Sequence, residues 1–106
     1  MESAAIQKEL LDLKHLLEQK SWPHDQTIAV LILASSDILL LIEYTENNAA
    51  YLASKRTVLA LVNQVLQQLD VIYEYLTTNQ DVNQDLLTHI NLKLLQAIDI
   101  LLLPYQ

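Results

Sequence analysis

The chain has 106 residues, no cysteine, no glycine and only two prolines; 52% of it is apolar and 18% charged, for a formal net charge of −7. That length is one domain, residues 1–106, with room for a core but little stability to spare. The absent glycines argue against the positive-φ turns of β-hairpins, the absent cysteines exclude disulfides and thiol chemistry, and the six scattered bases supply no stripe for nucleic-acid phosphates or an anionic membrane surface. The expected class is all-α: an antiparallel four-helix bundle with an aliphatic core, since phenylalanine is also missing.

The first helix is expected from residue 3 or 4 to about residue 20, with Ser3 able to cap it. Ile6, Leu10, Leu13 and Leu17 recur at +4, +3, +4 and form one apolar stripe. Leu11 and Leu16 widen it, while Lys8, Glu9, Asp12, Lys14 and Glu18 cover the other side. The opening MESAAIQKELLDLK has neither the basic start nor the apolar run of a signal peptide. With the absence of cysteine, this sets a cytoplasmic location as the expectation. The segment SWPHDQT then reads as a turn into a second helix, Pro23 suiting a first helical turn.

The second helix contains TIAVLILASSDILLLIEY, residues 27–44, and is expected to end near Asn47 and Asn48. Its apolar side chains go almost all the way round. Ile28, Leu31, Ile32, Leu39 and Ile42 fill one side, and Val30, Leu33, Leu40, Leu41 and Tyr44 much of the other. Only Ser36 and Glu43, beside Ala29, form a narrow polar strip. The stretch is at the short end of a membrane span, but Ser35, Ser36 and Asp37 interrupt its centre, where a charge is expensive. A protein-buried helix is therefore expected. A helix this apolar needs neighbours on most sides, which points to a second copy of the chain or another protein against it.

Asp37 is the most informative polar residue. An unpaired buried carboxylate is costly. It is expected to bond Tyr44 or a hydroxyl of another helix, or to pair with Lys55 or Arg56. Alternatively, it fixes the register of an oligomer seam, or marks a ligand pocket.

The third helix is expected over residues 49–77. Val58, Val62, Val65, Leu69, Ile72 and Leu76 alternate at +4 and +3, opposite Asn63, Gln67, Asp70 and Glu74. That is the seam of a bundle or coiled coil. A turn is expected at residues 46–48, where asparagine can take the left-handed cap that glycine usually supplies. After TTNQDVNQD, in which Asn79 or Asp81 can cap, a fourth helix spans about 82–103 and stops at Pro104. Leu87, Ile90, Leu94, Ala97 and Leu101 face one way. Leu92, Leu95, Leu102 and Leu103 fall on what should be the wet side, among Thr88, Gln96 and Asp99.

Chemistry is thinly represented. His15 lies between Asp12 and Glu18, but a dependable metal site wants a further nitrogen or sulphur ligand. His89 sits in a polar row with Asp85 and Lys93, and His24 stands beside Asp25 in the turn. No phosphate loop is possible without glycine, and no family motif is present. No cofactor, metal or catalytic residue is expected.

The expected function is a non-enzymatic, protein-binding regulator of inhibitor or anti-activator type, acting as a small acidic homodimer through helices two and four. Leu92, Leu95, Leu102, Leu103, Tyr75 and Tyr105 are the expected partner-binding residues. A secretion or assembly chaperone holding an amphipathic client segment is the alternative among binding proteins. A ligand-binding or enzymatic bundle with a pocket at Asp37 is the alternative from another class.

Overall fold

In a computed structural model of the protein, residues 3–19, 24–44, 49–78 and 84–103 are described. They form four α-helices: α1 Ser3–Glu18, α2 His24–Tyr44, α3 Ala49–Thr77 and α4 Gln84–Leu102. There is no strand among the described residues. The helices pack into a body of about 45 × 25 × 20 Å. Its long dimension is set by α3, whose 29 residues make a rod of roughly 44 Å at 1.5 Å rise per residue.

The expected stripes of three helices become the core. Ile6, Leu10, Leu13 and Leu17 of α1 are buried, as are Val58, Val62, Val65, Leu69 and Ile72 of α3. Asn63, Gln67, Asp70 and Glu74 are exposed on the back of α3. Leu87, Ile90, Leu94, Ala97 and Leu101 of α4 are buried with Ile98 and Leu102. All four helices contribute to one continuous apolar cluster. The side chain of Leu76 lies outside the described residues. The turn expected at residues 46–48, between helices two and three, lies outside the described residues.

Helix α2 corrects the sequence reading. Its buried line is Ile28, Leu31, Ala34, Ser35, Ile38, Leu41 and Ile42. This line takes residues from both expected sides and runs between them. Ile32, assigned above to the filled side, is exposed, as are Leu33 and Leu40. Ala34 and Ser35 of α2 and Ala97 of α4 are fully buried small residues. Small side chains let helix backbones approach, and α2 packs directly on α4 as well as on α3 and α1. The Ser35 hydroxyl donates to the Leu31 carbonyl at 2.8 Å, so burying it leaves no orphan.

Helix ends need substitutes for the missing glycine. At the end of α3 the hydroxyls of Thr77 and Thr78 donate to the Glu74 carbonyl at 2.9 and 3.0 Å, joined by the Thr78 N–H. At the end of α1 the Gln19 N–H reaches back to the Leu16 carbonyl in a tighter turn. The next carbonyl, that of Leu17, is capped from another helix: Asn91 of α4 donates its side-chain N–H to it at 2.9 Å. The expected cap residues Asn79 and Asp81, and Pro23 in the turn before α2, lie outside the described residues.

Candidate functional site

Helix α4 is bound to α1 at two points along its flank. The Lys14 ammonium pairs with the Asp99 carboxylate at 2.9 Å, and Asn91 caps Leu17. Asp99 shares a side of its helix with Thr88 and Gln96 in the sequence, and its ion-pair partner is on α1. The Asp99 carboxylate raises the Lys14 ammonium above its ordinary value, by hydrogen bonding first and charge second.

This covered flank explains a second correction. Going round α4 at about 100° per residue, Leu102 falls between Asn91 and Asp99. Helix α1 therefore lies over it, and Leu102 is only 4% exposed. It belongs to the core and is not available to a partner. Of the other expected contact residues, Leu92 and Leu103 are 53% and 60% exposed. Leu95 is half-buried. The side chain of Tyr75, and Tyr105 altogether, lie outside the described residues.

Leu92 and Leu95 are brought together with α1 and α2 in a groove of about 590 Å³. Its apolar lining is Leu17 of α1, Val30 and Leu31 of α2, and Leu87, Leu92 and Leu95 of α4. Gln19, Thr27, Gln84, Thr88 and Asn91 line it as well, with Glu18 the one charged lining residue among the described residues. Such a volume lies within the roughly 300–1,000 Å³ of ligand and peptide pockets. Apolar residues with polar ones among them also occur in protein-binding patches. Leu103 does not line it.

A second apolar surface lies on α2, directly opposite its buried line. Ala29, Ile32, Leu33, Ser36 and Leu40 are all exposed there, with Glu43 at one end. Ile32, Leu33 and Leu40 are about half exposed or more, at 48%, 60% and 47%. The Ser36 hydroxyl donates to the Ile32 carbonyl at 3.2 Å, which removes its demand for water. The expected polar strip is therefore the centre of a mostly apolar outer face. By length and composition, residues 26–43 are also apolar enough to cross a membrane, a property shared with the core helices of soluble proteins.

The side chain of Tyr44, one of the expected partners of Asp37, lies outside the described residues, and Asp37 itself is half-buried. Its neighbour is the carboxyl group of Glu9, across the junction of α1 and α2. Burial raises the Glu9 carboxyl above the ordinary glutamate value. The hydrogen bond that protonated Glu9 donates to Asp37 adds to this, as do the charges of Asp37 and Asp12, while Lys8 opposes it. Asp37 does not line the groove, so the ligand pocket expected around it does not coincide with the groove.

No family model, curated protein or solved structure matches the chain. What the surfaces do must be argued from their own chemistry. No group of three or more histidines or carboxylates is placed to hold a metal among the described residues. His15 and His89 are exposed on separate helices, α1 and α4. Asp12, expected beside His15, pairs with Lys8 at 3.3 Å instead. Sequence reasoning missed Asn91. On the helical wheel it falls between Ile98 and Leu102, inside the buried arc of α4. A polar side chain in an apolar sector is a sign of a specific hydrogen bond.

Proposed function

We propose that this chain is a non-enzymatic protein-binding regulator, of inhibitor or anti-activator type, built as an antiparallel four-helix bundle that pairs with a second copy. The antiparallel sense is supported by the order of the cross-helix contacts. Lys14 meets Asp99, while Leu17, further along α1, meets Asn91, earlier in α4. Likewise Glu9 meets Asp37, whereas Leu17 at the end of α1 shares the groove with Thr27 and Val30 near the start of α2.

The observation that carries the pairing is the outer face of α2, where Ile32, Leu33 and Leu40 point away from the core. Fully burying such a side chain is worth roughly 1.5–3 kcal/mol, and each is already about half covered. Six of them across a twofold axis then contribute about 6 kcal/mol, at the low end of the roughly 4–15 kcal/mol of lost freedom that association costs. The dimer is therefore weak and reversible unless Leu92 or Leu103 of α4 adds to it. A weak dimer suits a regulator that exchanges its own copy for a target.

Sedimentation velocity at high micromolar concentration tests the pairing. The expected particle is twice the 12.1 kDa chain, and Leu33→Lys with Leu40→Lys returns it to the single chain with its helicity intact. A wild-type monomer throughout that range refutes the pairing.

The groove favours a second reading. A secretion or assembly chaperone would use its apolar lining of Leu17, Val30, Leu92 and Leu95 to hold a client's amphipathic segment. Co-expression with a captured partner separates the two: a chaperone keeps that partner soluble, and an inhibitor silences one that is already folded.

A further inference from the structure

We infer that the outer face of α2 pairs with the same face of a second copy in the antiparallel sense, about a twofold axis that passes beside Ser36. This rests on the pairing proposed above and fixes its geometry; it takes nothing from the groove.

The occupant follows from the spacing of the face. A twofold contact requires a surface that complements itself under a half-turn. Counted from Ser36, Leu33 and Ile32 stand three and four residues before it, and Leu39 and Leu40 three and four after it. Ile32, Leu33 and Leu40 are exposed, and Leu39 is half-buried at the edge of the face. At about 100° per residue, Leu33 and Leu40 fall on one side of Ser36, and Ile32 and Leu39 on the other. A half-turn about an axis across the helix keeps each residue on its side and reverses its height. Leu33 then meets Leu40 of the second copy, Ile32 meets Leu39 of the second copy, and both contacts recur by symmetry. Paired heights agree to about one residue, roughly 1.5 Å.

Ser36 occupies the centre of this arrangement. Its side chain is small, and the distance between packed helices is set by the side chains at their contact. Its hydroxyl already donates to the Ile32 carbonyl at 3.2 Å, so covering it strands no donor.

Charge fixes the sense. Glu43 is exposed seven residues after Ser36, and Ala29 is exposed seven residues before it. A parallel pair sets Glu43 against Glu43 of the second copy, two like charges brought together as water is expelled. In the antiparallel pair each Glu43 lies over Ala29 of the other copy. The two carboxylates are then roughly 21 Å apart along the helix, more than twice the screening length of about 8 Å in physiological salt. A bilayer is the competing cover for residues 26–43. It selects for apolarity alone and not for a match under a half-turn, and a net charge of −7 works against an anionic surface.

The test uses the full chain, which has no cysteine, so each substitution introduces a single thiol. Ser36→Cys, oxidised with copper phenanthroline at high micromolar concentration, is expected to run mostly as a linked dimer on a non-reducing gel. Side chains at the axis reach the roughly 4 Å between Cβ atoms that a disulfide needs. Leu33→Cys and Leu40→Cys are each expected to remain single alone and to link when the two variants are mixed. Glu43→Cys, and Leu92→Cys in the groove, are expected not to link. Circular dichroism confirms that each variant is folded, and sedimentation of the parent chain runs alongside. If the parent is a dimer and Ser36→Cys does not link, this inference falls and the pairing survives. Linking of Glu43→Cys without the mixed pair shows a parallel dimer and overturns it. Linking through Leu92→Cys alone overturns it too, moving the contact to α4. A parent chain that stays monomeric overturns both this geometry and the pairing; if that monomer floats with phosphatidylcholine vesicles, the face belongs to a bilayer.

Discussion

Replacing Asn91 probes a polar tie that crosses between helices at the groove. Its side-chain N–H donates to the Leu17 carbonyl at 2.9 Å from a partly buried position. A typical net hydrogen bond contributes about 0.5–1.5 kcal/mol, and a carbonyl left dry and unpaired costs roughly 1–3 kcal/mol. Leu17 is the last core residue of α1, and Gln19 already uses the adjacent carbonyl. Asn91→Leu keeps the bulk and removes the donor, so its expected loss is about 1–2 kcal/mol. In a domain of this size that lowers the melting temperature by about 5–10 °C. Asn91→Asp is expected to be worse at neutral pH, since a carboxylate cannot donate and faces another oxygen. Its deficit should shrink under acid, when the protonated carboxyl donates again. Urea unfolding followed by circular dichroism measures both, and the slope with denaturant should not change. A loss below about 0.3 kcal/mol for Asn91→Leu, well under the usual hydrogen-bond contribution, would refute the cap.

Other perturbations follow from the same contacts. Glu9 has a folded-state pKa raised above the ordinary 4.5, so folded chains bind its proton more tightly than unfolded ones, and its contribution to stability falls as pH rises through that window. Glu9→Gln is therefore expected to be more stable than the parent at neutral pH and to lose that advantage below the ordinary glutamate value; a difference independent of pH contradicts the Asp37 contact. Gln68→Met removes an amide oxygen that is buried without a partner and should gain about 1 kcal/mol in denaturant midpoint analysis. Leu94→Ala empties a fully buried site and should cost about 2–5 kcal/mol, whereas Leu92→Ala, at the exposed mouth of the groove, should stay within about 0.5 kcal/mol. Ser35→Ala should be nearly neutral because its hydroxyl bonds only its own helix, while Ser35→Leu should lose about 1–3 kcal/mol by overpacking.

How much of this was legible before folding differs from helix to helix. In α1, α3 and α4 one apolar stripe dominates, so periodicity alone names Leu10, Val62 and Leu94 as core. In α2 they recur on every side. A helical wheel then has no preferred inward direction, and Ile32 and Ile38 look alike. Only the neighbours distinguish them, burying Ile38 completely and leaving Ile32 48% exposed. Leu102 failed for a related reason. Its place on the wheel is at the edge of the stripe, and whether an edge is wet depends on what lies over it.

Local spacing determined that the chain is helical, where its helices begin and end to within a few residues, and which side three of them bury. These properties follow from periodicity and from turn chemistry, both confined to neighbours in the chain. Tertiary structure alone decided that Asp37 meets Glu9, that Asp99 meets Lys14, and that Asn91 closes the end of α1. It also decided that Leu17, Val30 and Leu92 share a groove. Each of those pairings joins residues far apart in sequence, so it depends on how whole helices dock, and docking is settled by the fit of all their side chains together.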